Sequence, residues 1–348
     1  MTALAVRDAP QYVLWEITRA CNLRCRHCLS SSGAAAPDEL DGSRALAVCD
    51  ALSELGVAAV ALLGGEPLVR SDWATIASRL TERGVSVGLV TNGLLFDRAV
   101  AERARDVGVG QIVVSLDGRS STHEALRGSG TFGKAVEALG LARDLGFRHR
   151  MVVTSVNRDN LEDVPHMVEP LRACASGAVW ALNLTSIRPG QRMPAARRLD
   201  ADGFLRLVDL IADARRRLAG AIEVVGSHDV GYHSLRAPDV QGVPWEGCKA
   251  GLSTLGITAR GEVKGCLALP DDWVEGRVPC SSLGELWRSP DAFARLRRFE
   301  PSMLGPRCRG CQHGASCRGG CTEYSLTMSG RPHAAPFCLR RWESTGEP

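Results

Sequence analysis

From about residue 12 to residue 226 the chain alternates two patterns, and that rhythm limits the fold more than any other feature. Short apolar runs recur: "YVLWEIT", "VAAVALL", "VSVGLVT", "QIVVSLD", "RHRMVVTSV" and "AVWALNLTSI". Stretches of helical period separate them, at 42–55, 72–83, 97–107, 132–146, 161–173 and 201–219. Repeated strand–helix units predict a parallel sheet covered by helices. Six units are too few for a closed eightfold barrel, so the expectation is an open, partial (β/α)6 barrel. In barrels the chemistry sits at the C-terminal ends of the strands. The distinctive residues lie there: cysteines after the first strand, "GGEP" after the second, "TNG" after the third and "SLDG" after the fourth.

After residue 226 the rhythm stops. Residues 227–247 are rich in Gly and Pro and read as a bridge. The stretch "LSTLGITARGEVKGCLAL" predicts a hairpin with "ARGE" as its turn, and "SLGELWRSPDAFARLRRF" a short helix. The last forty residues read as loops tied by cysteines. The expected division is 10–226, 227–247 and 248–342.

Composition excludes several function classes. The chain has 348 residues, 45% apolar and 23% charged, with a net charge of +3. That charge is too small to argue for nucleic acid, and the arginines are scattered as on a solvated face. No N-terminal stretch has the pattern of a signal peptide. No window reaches the roughly 18 apolar residues of a spanning helix. A cytoplasmic location with no membrane partner is the expectation.

Thirteen cysteines then need a reason. A chain this long can bury a core without disulfides, and a reducing compartment disfavours them. Clustered thiols read instead as metal or catalytic sites. Cys49 and Cys174 stand alone among apolar neighbours and read as packing. Cys21, Cys25 and Cys28 fall within eight residues of one another, directly after the first apolar run. A four-iron cluster takes four ligands, so three thiols leave one iron open. Zinc with an open position is the other reading; a thioredoxin-like pair needs no third thiol. His27 lies between two of the cysteines and is expected to point away from the metal.

Cys21-Asn-Leu-Arg-Cys25-Arg-His27-Cys28 resembles the signature of the radical S-adenosylmethionine (SAM) superfamily, C-x3-C-x-aromatic-C, with His27 in the aromatic slot. The resemblance implies that the open iron chelates SAM. Reductive cleavage would then yield methionine and a 5′-deoxyadenosyl radical that abstracts hydrogen from a substrate. It implies SAM contacts at Gly64, Gly65, Glu66 and Pro67, with the carbonyls and Glu66 receiving the ammonium. Ser115 and Asp117 would meet the ribose or the carboxylate. Thr91, Asn92, Thr154 and Arg188 are further SAM candidates, and Asn157 and Arg127 are SAM or substrate candidates.

The second cysteine field reads C-x12-G-x4-C, a gap, then C-x2-C-x5-C-x3-C and a final Cys. It resembles the SPASM domain, a cysteine-rich α+β unit with two auxiliary [4Fe–4S] clusters, three clusters in all for the chain. By that resemblance Cys248, Cys266 and Cys321 hold one, and Cys308, Cys311, Cys317 and Cys338 the other. The first has three thiols and so an open iron or another ligand; Cys280 is in range by sequence. His228, Tyr232 and His233, near the expected barrel mouth, are the candidates for handling a substrate proton.

The wording "HCLSSSG" with the full SPASM spacing most resembles the mycofactocin-type peptide maturases. This implies an oxidoreductase that acts on a ribosomally made precursor peptide by oxidative decarboxylation, desaturation or crosslinking. Many relatives carry an N-terminal leader-binding domain. Here the first strand begins near residue 12, so the expectation is a separate leader-binding protein, with a flavodoxin- or ferredoxin-type reductant. A small-molecule or tetrapyrrole oxidase of the haem d1 type, or a sulfatase-maturing enzyme, are the rival enzymes. An iron–sulfur electron carrier is the non-catalytic rival, and it would have no use for "GGEP" and "SLDG".

Overall fold

The computed structural model describes residues 6–227, 229–238, 240–279 and 282–346. Seven parallel strands run in chain order: β1 (Tyr12–Thr18), β2 (Ala59–Gly64), β3 (Ser86–Thr91), β4 (Val109–Ser115), β5 (His149–Val156), β6 (Val179–Leu184) and β7 (Glu223–Gly226). Their helices are α1 (Gly42–Leu55), α2 (Trp73–Glu82), α3 (Arg98–Asp106), α4 (Ser120–Arg127), α5 (Thr131–Asp144), α6 (Val164–Cys174) and α7 (Ala201–Leu218). The six expected units are present. The seventh strand, "EVVG", is too short to show a period, and α4 lies outside the stretches of helical period named above.

Parallel strands covered on a face by helices are apolar there and alternate inward. In β1, Val13, Trp15 and Ile17 are buried in the core with Val48 and Leu52 of α1. Leu14 and Glu16 face the other way, into the barrel. Asp41, Asp97 and Asp200 start α1, α3 and α7 by accepting hydrogen bonds from the backbone N–H of Arg44, Val100 and Gly203. Such caps contribute about 1 kcal/mol each.

The sheet does not end with the barrel. The predicted hairpin forms from β8 (Thr254–Ile257) and β9 (Glu262–Lys264), and β10 (Gly276–Arg277) pairs with β9. β8 lies parallel to β1, with Tyr12 opposite Thr254 and Trp15 opposite Ile257. The order is β10-β9-β8-β1-β2-β3-β4-β5-β6-β7, open at both edges.

Two readings of the C-terminal part need correction. The segment 282–299 is two helices, Leu283–Arg288 and Ala294–Arg297, because Pro290 cannot continue the first. The last forty residues are not only loops: helices span Gly314–Cys317, Thr322–Ser329 and Leu339–Thr345.

Candidate functional site

A cavity of about 620 Å³ opens at the C-terminal ends of β1–β6. Cys21, Cys25 and Cys28 line it. They sit on a loop whose base closes through Cys21 N–H to Gly33 O (2.9 Å) and Gly33 N–H to Arg19 O (3.1 Å). The loop after β6 grips it from the far side. Arg192 donates to Cys25 O (3.0 Å) and Ser31 O (2.8 Å), and Gln191 to Leu29 O (2.7 Å).

Gly64 and Gly65 line the same cavity, and their lack of a side chain serves the backbone. A Cβ on Gly64 would stand 2.2 Å from Thr18 O, and one on Gly65 2.2 Å from Ala20 O. The end of β2 can therefore lie flat against the start of the cysteine loop. Gly65 and Glu66 N–H donate to Thr18 O and Ala20 O (2.8 and 2.9 Å).

Glu66 departs from the expectation. It and Pro67 do not line the cavity; Glu66 is fully buried and turned toward β3. Its carboxylate accepts from the Thr91 hydroxyl (2.9 Å), Asn92 N–H (2.8 Å) and Leu68 N–H (3.3 Å). Burial pushes its pKa up to about 7, against those hydrogen bonds. So engaged, Glu66 ties the loops after β2 and β3 together. Thr91 and Asn92 do line the cavity, and Asn92 Nδ2 donates to Asn22 Oδ1 in the cysteine loop (2.8 Å).

Asp117 is likewise buried out of the cavity. It accepts from Arg127 Nε (2.5 Å) and Ser155 N–H (2.8 Å) and lies 2.9 Å from His27 Nε2. Burial pushes its carboxyl up, but Arg127 and His27 outweigh it and hold it well below the carboxylate range. His27 lines the cavity with the three thiols while its Nε2 is engaged by Asp117. Arg127 reaches the cavity with its other end, 4.0 Å from Cys25 Sγ. Ser115 and Arg188 also line the cavity. Thr154 and Asn157 do not: Thr154 links Leu116 O to the Trp180 indole, and Asn157 donates to Thr185.

The proton-handling candidates fare differently. Tyr232 is buried outside the cavity, accepting from Cys321 N–H (3.0 Å). His233 stacks on His313, ring centres 4.2 Å apart, also outside it. Both pack onto the C-terminal cysteine segment because the bridge folds back over it. His228 and Cys280 lie outside the described residues.

The cavity's other wall comes from the C-terminal part, through Lys264, Ala268 and Glu323. Arg188 spans to it, donating to Ala268 O and to Glu323 Oε1 (3.0 Å). Glu16, Asn183, Asp229, Lys264 and Glu323 escaped the sequence reading. Only the placement of Glu16 inside an apolar strand hinted at a role.

Twelve cysteines are described and all are free thiols. In the C-terminal part they fall into two groups. The field of Cys248 reaches Cys266 and Cys321, while Cys308, Cys311, Cys317 and Cys338 act on one another. Burial pushes the Cys266 and Cys317 thiols up to about 12. Among the described residues, no three His, Cys, Asp or Glu side chains gather around a point that would hold a single ion. A chemically uniform set of thiols in each group suits an iron–sulfur cluster, whose ligands are cysteine thiolates.

The radical SAM superfamily profile matches residues 15–171, and that of an iron–sulfur cluster-binding domain, SPASM, residues 248–312. The mycofactocin maturase MftC of Mycolicibacterium smegmatis is 31% identical over 96% of this chain and 84% of its own length. The pre-heme d1 synthase of Dinoroseobacter shibae is 29% identical over 96% of this chain and 87% of its own. In fold, Streptococcus suis SuiB bound to S-adenosylmethionine superposes with a TM-score of 0.74 at 17% identity, over 92% of this chain and 75% of that one. The chain belongs to the radical SAM superfamily, in the branch with a C-terminal SPASM domain, and is a SAM-binding iron–sulfur oxidoreductase similar to the mycofactocin maturases.

Proposed function

We propose that this enzyme oxidises a ribosomally made precursor peptide, by decarboxylation, desaturation or crosslinking, with three [4Fe–4S] clusters. The carrying observation is the single cavity walled on one side by Cys21, Cys25 and Cys28 and on the other by segments next to Cys266 and Cys321. A substrate there lies between two iron–sulfur-binding fields. The likeness to MftC supports a peptide substrate.

Cys21, Cys25 and Cys28 hold the first cluster. Cys248, Cys266 and Cys321 hold the second, and Cys308, Cys311, Cys317 and Cys338 the third. When bound, cluster and SAM supply the electron and the hydrogen-abstracting carbon radical. The residues of the chain position and shield. Gly64 and Gly65 carbonyls, Thr91, Asn92, Ser115 and Arg127 offer the polar contacts for SAM. Arg188 and Glu323 hold the opposite wall fixed, and the apolar strand residues exclude water. A separate leader-binding protein delivers the peptide, and a flavodoxin or ferredoxin supplies electrons.

The test uses the peptide encoded by a short reading frame beside this chain's gene, with its neighbouring leader-binding protein, SAM and a reductant without oxygen. The expected result is 5′-deoxyadenosine together with a peptide lighter by two hydrogens or by carbon dioxide and two hydrogens. An unchanged peptide, with turnover of a tetrapyrrole instead, would replace the reading by the haem d1-type alternative that the likeness to pre-heme d1 synthase favours.

A further inference from the structure

Among the described residues six carboxylates are buried, Glu16, Glu66, Asp117, Asp163, Asp229 and Glu323, and they are not equivalent. Of the three that line the cavity, Asp229 accepts from Leu184 N–H and Glu323 from Ser186, Arg188 and Thr327. Glu66 accepts three hydrogen bonds, and Asp117 is held by Arg127, His27 and Ser155. Each of those two carboxylates has three partners that tie neighbouring segments together. Glu16 is 6% exposed, in the middle of an interior strand, and faces the cavity. Among the described residues it accepts one long hydrogen bond, from Ala259 N–H to Oε2 at 3.4 Å.

Arg19 and Lys264 favour its charged form through their fields, but among the described residues no side chain donates a hydrogen bond to it. The residue opposite it in β2 is Leu63. The charged groups whose fields reach it are Arg19, Lys264 and Glu39. Each is engaged elsewhere. The Arg19 guanidinium donates to Ser30 O, Lys264 Nζ donates to Leu269 O (2.7 Å), and Glu39 accepts from Arg19 N–H, Ala36 N–H and the Thr18 hydroxyl. A buried carboxylate without partners is costly, and a fold without use for it would fill the place with an apolar residue. A substrate that brings an N–H or O–H to Glu16 removes that cost on binding.

We propose that Glu16 is the proton acceptor of this cavity: it binds the N–H or O–H adjacent to the substrate carbon whose C–H bond is broken, and takes that proton as the substrate is oxidised. The role rests on the oxidase reading above. The balance is that of a two-electron oxidation of H–C–X–H to C=X, where X is nitrogen or oxygen. A hydrogen atom leaves carbon for the SAM-derived radical. One electron leaves for an oxidised iron–sulfur cluster in the C-terminal thiol field. The X–H bond breaks, its pair forms the C=X bond, and its proton ends on the Glu16 carboxylate. The substrate class is therefore one with a donor next to the reacting carbon, as every non-proline peptide residue has at its α carbon. Burial pushes the Glu16 carboxyl above its ordinary value, against Arg19, the Ala259 N–H and Lys264, which favours its taking up a proton.

The test compares wild type, Glu16→Gln and Glu16→Asp with the precursor peptide named above, each checked for folding by circular dichroism and for iron content. In E16Q, product formation falls about a hundredfold or more, and the 5′-deoxyadenosine released per product rises roughly tenfold. E16D recovers part of the coupling. Infrared difference spectra without substrate give a second readout: a carboxyl band that ionises above the ordinary range is present in wild type and missing from E16Q. Identical infrared titrations, or a wild-type ratio of 5′-deoxyadenosine to product in E16Q, would overturn the role alone. No 5′-deoxyadenosine from wild type would overturn the oxidase reading and this role with it.

Discussion

His27 Nε2 lies 2.9 Å from Asp117 Oδ2, and the same carboxylate oxygen accepts from Arg127 Nε at 2.5 Å. The residue between two cysteines of the metal loop is thereby tied to the end of β4. Its neighbour Cys28 is left facing the cavity. One buried carboxylate thus sets both the loop's orientation and the place of the guanidinium beside Cys25.

Removing that charge should be severe. Asp117→Asn leaves Arg127 buried without its counter-charge. The expected loss is about 3–5 kcal/mol, the usual result of breaking a buried pair by one partner. Urea denaturation of the two proteins under nitrogen would show it; a difference within about 0.5 kcal/mol would mean the pair is solvated.

The two metal fields should separate by mutation. Cys25→Ala and Cys311→Ala each lower the iron content from about twelve to about eight per chain. Only Cys25→Ala abolishes the response of the reduced protein's electron paramagnetic spectrum to added SAM, and with it SAM cleavage. A spectrum of the Cys25 variant that still changes with SAM would refute the ligand assignment.

Arg192 donates to carbonyls on both sides of Cys28, at Cys25 and Ser31. Arg192→Met removes charge-assisted hydrogen bonds of about 1.5–3 kcal/mol each from the stretch of the loop that carries Cys25 and Cys28. The variant is expected to lose iron from the first site on gel filtration while the C-terminal sites stay loaded. Iron and sulfide assays before and after the column measure it.

Glu66 gives a pH signature. Its folded-state pKa, raised by burial to about 7, favours the protonated form in the fold. The associated stability is full at acid pH and is lost as pH rises from the ordinary glutamate range through about 7. Between pH 6 and 8 wild type should lose roughly 1–1.5 kcal/mol that Glu66→Gln does not. Parallel pH slopes for the two proteins in urea would show that Glu66 is ionised throughout.

The repeated strand–helix units were legible because parallel strands must be apolar, and because stretches of helical period recur between them. The clustering of the thiols was legible because cysteine spacing within one loop is local. The reading of Glu66, Asp117 and Thr154 went astray for one reason. A polar residue at a strand end either faces the cavity or braces a neighbouring loop, and the choice depends on partners many residues away, such as Thr91, Arg127 and Trp180. Lys264 and Glu323 were invisible for the same reason. They reach the barrel only because β8 pairs with β1. Tyr232 and His233 were misread because a Gly- and Pro-rich bridge carries no period from which its path can be followed.

That pairing of β8 with β1 also bears on redox traffic. The strand leading into the Cys21–Cys28 loop and the hairpin between Cys248 and Cys266 are adjacent rungs of one ladder. On the proposed cluster assignment, the gap an electron must jump is therefore set by the pairing of two strands of one sheet. Tuning of that transfer is left to the charges around each thiol group.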